Sequence, residues 1–149
     1  MASQTVIESP TPKMLAEVEN GIGWITFNSP ARRNAMSLDM WQGLADILRQ
    51  MSQDDSLRVV VLKGAGDKAF VSGADISEFE EKRSNQEDRD AYENAFDDAL
   101  GNLANFSRPV VAMIQGFCIG GGLAIALNTD IRIATEDSVF GIPAAKLGL

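Results

Sequence analysis

The spacing of apolar positions changes several times along the chain, and each change marks an element. From Met14 to Ser29, "MLAEVENGIGWITFNS", apolar and polar residues alternate on both sides of Asn20-Gly21. Alternation predicts half-buried strands, and Asn-Gly between them predicts a β-hairpin. Pro30 ends the second strand. In "SLDMWQGLADILRQMSQ" the period lengthens: Trp41, Leu44, Leu48 and Met51 share one helical face, and Ser37 is placed to cap it. "LRVVVLKG" is a short continuous apolar run, of the kind buried on both faces of a parallel sheet. "DISEFEEKR" and "NQEDRDAYENAFDDALGNLANFS" read as helices, the second with Tyr92, Phe96, Ala99 and Leu103 as its buried stripe. Pro109 opens another buried strand, "PVVAMIQG". A helix is expected to start within the glycines of "GFCIGGGLAIAL", and "DIRIAT" returns as a strand. The order ββα, β, α, β, α, β predicts an α/β domain with parallel strand pairs.

Composition adds mainly exclusions. The chain has 149 residues, 45% of them apolar, enough for one core. Its net charge is −8, concentrated between Asp75 and Asp98, where ten acids face three bases. That pattern predicts a solvated helical face, and it excludes nucleic acid as a partner, which needs a basic stripe. The longest apolar run, Phe117 to Leu127, is far short of the ~20 residues that span a bilayer, so no membrane role is expected. "MASQTVIESP" has no basic cluster and does not read as a secretory signal. Residues 1–12 are expected to be a loose tail, and residues 13–149 one unit. Cys118 is the single cysteine, which excludes an internal disulfide and predicts a reducing, cytoplasmic setting. Its apolar context marks it as an inert core thiol. The chain has no histidine, which removes Ser–His–Asp and Cys–His nucleophile systems and histidine metal sites; no metal is expected. "FGIPAAKLGL" stops just after a strand, and the sequence reads as part of a longer polypeptide.

Two loops carry the candidate chemistry. "KAFVSGADI" and "GFCIGGG" each place glycine where the chain turns from a strand towards a helix. Glycine lets backbone N–H groups approach a ligand, and a helix beginning at Gly121 or Gly122 adds the positive end of its dipole. If the N–H groups of Ala74 and Gly121 converged, they would form a two-donor oxyanion hole for an enolate or tetrahedral oxygen. Tight helix–strand packing alone would explain either glycine cluster taken singly. "VVVLKGAG" lacks the rest of a dinucleotide fingerprint, and "FVSGA" is not a nucleophile elbow.

From Met14 onward the chain resembles the enoyl-CoA hydratase/isomerase (crotonase) superfamily. The resemblance rests on "PARRNAMS", "AFVSGADISEF", "RPVVAMIQGFCIGGGLAIALNTDIRIA" and "FGIPAAKLGL", in the family's order. It implies a crotonase-like (ClpP/crotonase) spiral of ββα units, the family's C-terminal helical part being absent from these 149 residues. It also implies a homo-trimer or hexamer and an acyl-CoA thioester as substrate, with no permanently bound cofactor. It implies further that the thioester carbonyl sits between the backbone N–H groups of Ala74 and Gly121. CoA would be touched around Arg32, Arg33 and Ala35 and along Ser72, Gly73, Ala74, Asp75 and Ile76, with the adenine held at "SGADI". Arg32, Arg33, Lys63 and Lys68 flank these loops in an otherwise acidic chain, which suits a polyanionic ligand. Ser77 stands where many hydratases carry a phosphate-binding lysine.

The family's hydratases use two glutamates as general acid and base. By the resemblance their positions are Ala124 and Ala144, and alanine transfers no proton. Between Gly122 and Asp130 there is no ionisable side chain at all. Three readings therefore stand. One is an enoyl-CoA hydratase or isomerase (a lyase or isomerase of fatty acid metabolism) whose proton-transfer group lies elsewhere, with Asp67, Asp75 and Glu78 near the first loop. Another is a CoA-thioester decarboxylase or C–C hydrolase served mainly by the oxyanion hole. The last is an acyl-CoA-binding module without catalysis.

Overall fold

The computed structural model describes residues 4–75 and 85–142. The hairpin forms where the alternation placed it: β2 (Met14–Glu19) and β3 (Ile22–Phe27) pair antiparallel with Glu19 opposite Ile22. Helix α1 (Leu38–Ser52) follows, then β4 (Val59–Gly64) beside β3 in parallel. Helix α2 (Gln86–Ala104) leads to β6 (Val110–Ile114), and α3 (Gly121–Leu127) leads to β8 (Ile131–Ala134).

Three short strands complete the architecture: β5 (Ala69–Val71), β7 (Phe117–Ile119) and β9 (Val139–Gly141). Each directly follows a strand of the large sheet and pairs in a second, parallel sheet of order β5-β7-β9, beside the six-stranded sheet β1-β2-β3-β4-β6-β8, in which β1 is Gln4–Val6. Successive turns of the chain therefore give one strand to each sheet and then a helix, the expected spiral of ββα units. The short strands were hidden in the sequence because three residues are too few to show a period.

The core lies between the large sheet and helices α1 and α2. Ile25, Phe27, Val60 and Leu62 from the sheet meet Trp41, Leu44, Leu48 and Met51 from α1, all essentially inaccessible. Each such side chain contributes about 1.5–3 kcal/mol through removal from water. Phe27 and Phe70 join the two sheets edge to face, with centroids 5.4 Å apart. Arg108 closes the far end of α1, its guanidinium donating to the carbonyls of Met51, Ser52 and Asp54.

Several expectations change. Residues 4–12 do not stand off as a loose tail: β1 (Gln4–Val6) pairs with β2, Ile7 N donates to Ala16 O, and buried Thr11 donates from its hydroxyl to Asp39. Strand β4 is not covered equally on both faces; Val60 and Leu62 are buried, Val59 and Val61 half-exposed. Among the described residues the helices cover one face of the sheet, leaving Leu15 and Met113 exposed on the other. Ser37 occupies the N-cap position of α1 but makes no cap bond, its hydroxyl donating to the Asp39 carboxylate instead. The true side-chain cap is on α2, where Asn85 accepts from Asp88 N at 2.8 Å. On α2 Ala95, Ala99 and Leu103 are buried, with Tyr92 and Phe96 half-buried beside them. The helix expected over "DISEFEEKR" lies outside the described residues beyond Asp75.

Candidate functional site

The two glycine loops follow neighbouring strands. β5 and β7 run parallel, with Val71 opposite Cys118, so the chain leaves both at the same end of the small sheet. The loops then touch: a Cβ on Gly120 would lie 3.8 Å from Gly73 Cα, and one on Gly73 3.9 Å from Ile119 O. Both turns use backbone that L side chains rarely adopt, with φ of +126° at Gly73 and +54° at Gly120. Helix α3 starts at Gly121, as the glycine run predicted.

Ala74 is held by a segment distant in sequence. It forms an isolated parallel bridge with Met36, in which Met36 N donates to Gly73 O at 2.7 Å and Asp75 N donates to Met36 O at 2.9 Å. That pattern spends the groups on either side of the Ala74 amide and leaves its N–H without a partner among the described residues. Gly121 N–H, in the first turn of α3, likewise has no acceptor among them. Gly121 is fixed by packing instead. A Cβ there would lie 3.1 Å from Trp41 Cζ2, and one on Gly122 would lie 2.2 Å from Val71 O.

The residues expected around a CoA chain are gathered beside these amides. Segment 32–36 runs along segment 72–75, with Ser72 N donating to Arg33 O. Arg32 Nη1 meets Oδ1 of buried Asp75 at 3.3 Å, so Asp75 is engaged by a cation. Arg33 and Ala35 lie on the same turn, Arg33 stacked 5.2 Å over the Phe117 ring. Lys68, Asp67, Arg33 and Phe117 border a small cleft of about 280 Å³. Lys63 is not part of this group; it lies 5.1 Å over Trp24 and borders a cavity on the face of the sheet opposite the described helices. That cavity, about 1230 Å³, is lined by Leu15, Trp24, Met113 and neighbours, and no residue of either glycine loop reaches it. Ile76, Ser77, Glu78 and Ala144 lie outside the described residues. Ala124 is half-buried one turn into α3.

Sequence reasoning missed the supports. Asn34, fully buried with φ of +57°, donates to Ala65 O and Ala69 O and accepts from Ser29 N, fastening the 29–35 turn to the start of β5. An Asn two residues past a Pro-opened turn was the available signal, since Asn tolerates the left-handed region. Met36 and Trp41 gave none, because their roles depend on which distant backbone they meet. Cys118 is buried, and burial pushes its thiol up to about 11, consistent with an inert core group. No described helix is long and apolar enough to cross a membrane.

Comparison with known proteins places this geometry. The family model described as "Enoyl-CoA hydratase/isomerase" matches residues 17–149. The short-chain-enoyl-CoA hydratase of Clostridium acetobutylicum is 35% identical over 141 residues, covering 91% of this chain and 51% of that protein. The mitochondrial 3-hydroxyisobutyryl-CoA hydrolase of Rattus norvegicus is 34% identical over 142 residues, covering 93% of this chain and 36% of the relative. An enoyl-CoA hydratase/carnithine racemase structure from Magnetospirillum magneticum superposes with a TM-score of 0.89 at 40% identity, over 95% of this chain and 53% of that one. The chain thus spans about half or less of the length of these relatives. With the match extending from the hairpin through both glycine loops, the chain belongs to the enoyl-CoA hydratase/isomerase family of the crotonase superfamily.

Proposed function

We propose that this protein acts on acyl-CoA thioesters, holding the thioester oxygen between the N–H groups of Ala74 and Gly121. The observation that carries the reading is the pair of amides, without partners among the described residues, on two touching loops at one end of the small sheet. Two fixed donors stabilise an enolate oxygen as its charge develops, and one such donor is typically worth ~10²–10³ in rate. The CoA chain would run along Arg32, Arg33, Ala35, Ser72, Gly73, Asp75 and Ile76, with Arg33 and Lys68 supplying positive charge. Asp75 pairs with Arg32 at 3.3 Å and holds it beside the Ala74 loop.

Alkene hydration needs a proton donor and acceptor that Ala124 and Ala144 do not supply, so the acid and base come from other positions in this reading. Decarboxylation and C–C cleavage need the amides more than the glutamates and remain alternatives on the same site, as does binding without turnover. Thioester hydrolysis is a second reading, supported by the likeness to proteins named 3-hydroxyisobutyryl-CoA hydrolase; the same amides would hold the tetrahedral oxygen. The test is to give the intact protein crotonyl-CoA and follow loss of the conjugated thioester absorbance, while a thiol reagent monitors free CoA. Loss of absorbance without thiol supports hydration, and thiol release supports hydrolysis. Tight binding with neither signal, for crotonyl-CoA and for a 3-hydroxyacyl-CoA, rules against hydration and hydrolysis and leaves decarboxylation, C–C cleavage and the non-catalytic module.

A further inference from the structure

The two amides are held by opposite ends of one short segment. Met36 bridges Ala74, and Trp41, five residues on, packs its ring edge against Gly121. The two ends also meet a common group. Trp41 Nε1 donates to the Tyr92 hydroxyl at 3.0 Å, and that hydroxyl donates to Met36 O at 3.4 Å. Met36 O is the carbonyl that accepts from Asp75 N, next to the Ala74 amide. Tyr92 comes from α2, whose Phe96 lies one turn on and packs edge to face on Trp41 at 4.9 Å.

We infer that Tyr92 is a positioning residue: its hydroxyl ties Met36 to Trp41 and thereby fixes the spacing of the Ala74 and Gly121 amides. The inference rests on the reading of those amides as an oxyanion hole. A hydroxyl that accepts from one anchor and donates to the other transmits any displacement of either, whereas a phenyl ring in the same place would fill the volume and leave the anchors independent. Trp41 is nearly inaccessible, so its ring cannot turn to compensate without moving Gly121 or the core around it.

The test uses a chromophoric thioester, 4-dimethylaminocinnamoyl-CoA, bound to the intact protein. Hydrogen bonds to the thioester carbonyl draw charge along the conjugated chain and shift its absorbance to the red, so the shift reads the two donors without requiring turnover. Wild type should bind with a red shift. Tyr92→Phe should bind within about threefold as tightly and lose at least half of that shift. Leu103→Ala, which removes a buried side chain from the same helix, serves as the control for destabilisation alone and should keep the shift. A full shift in Tyr92→Phe, or an equal loss in Leu103→Ala, overturns the positioning role and leaves the oxyanion hole standing. Binding by wild type without any red shift overturns the oxyanion hole and this inference with it.

Discussion

The loop carrying Ala74 and the loop carrying Gly121 present the same group, an amide without a partner among the described residues, but are built by different forces. The first is held by backbone hydrogen bonds to Met36 and accepts a residue with a side chain at the donor position. The second is held by close packing: its two helical glycines lie against the Trp41 ring edge and the Val71 carbonyl, tightly at Gly121 and with no room for a methyl group at Gly122. The hydrogen-bonded loop should therefore be sensitive to loss of backbone groups, and the packed loop to gain of side-chain volume.

The largest effect should come from Gly122→Ala. Its methyl would sit 2.2 Å from Val71 O, a backbone atom of β5 that cannot yield alone. We expect about 3 kcal/mol less stability in chemical denaturation, and loss of acyl-CoA turnover. Equal stability would show that the second loop is not held by packing. Ala74→Pro comes next, deleting the N–H while the flanking bridge bonds come from Gly73 O and Asp75 N. Turnover should fall ~10²–10³-fold with binding little changed, far-ultraviolet dichroism checking that the fold persists. Gly121→Ala should be milder, because its methyl meets the edge of the Trp41 ring at 3.1 Å. A few tenths of an ångström of movement would cost about 1 kcal/mol, read as a lower unfolding midpoint, and turnover would drop roughly tenfold.

The smallest effect concerns the segment that both loops share. Burial pushes the Asp39 carboxyl up, but hydrogen bonds from Ser37 and Thr11 and the charge of Lys13 outweigh it and hold the group below its ordinary 3.8. A lowered carboxyl stabilises the fold fully above that ordinary value and loses its contribution as pH falls below it, through the folded-state value. The side chain is partly exposed, so solvent screens the effect. Asp39→Asn should remove about 0.5 kcal/mol at neutral pH and flatten the acid limb of a stability–pH curve.

The comparison also explains what the sequence disclosed. Asn20-Gly21 and the spacing of Trp41, Leu44, Leu48 and Met51 act over a few residues, so the hairpin and α1 were legible from local pattern. The glycines of 120–122 disclosed a crowded helix start, because an apolar run gives up side chains where another backbone passes. The Met36–Ala74 bridge, the Trp41–Gly121 contact and the Asn34 fastening join positions separated by about thirty to eighty residues. Nothing in their neighbours along the chain foretells the partner. The pairing of residues 4–6 with β2 was illegible for a similar reason: a three-residue strand on an exposed edge needs no apolar alternation.

Cys118 gives the small sheet an intrinsic clock. Its sulfur is buried on the central strand of that sheet, and its acidity is suppressed, so alkylating reagents must wait for the sheet to open locally. The rate at which iodoacetamide consumes this one thiol would thus time the opening of the platform under both glycine loops, without any engineered label. An acyl-CoA that slows the reaction would reveal, from the protein's own chemistry, that ligand and platform close together.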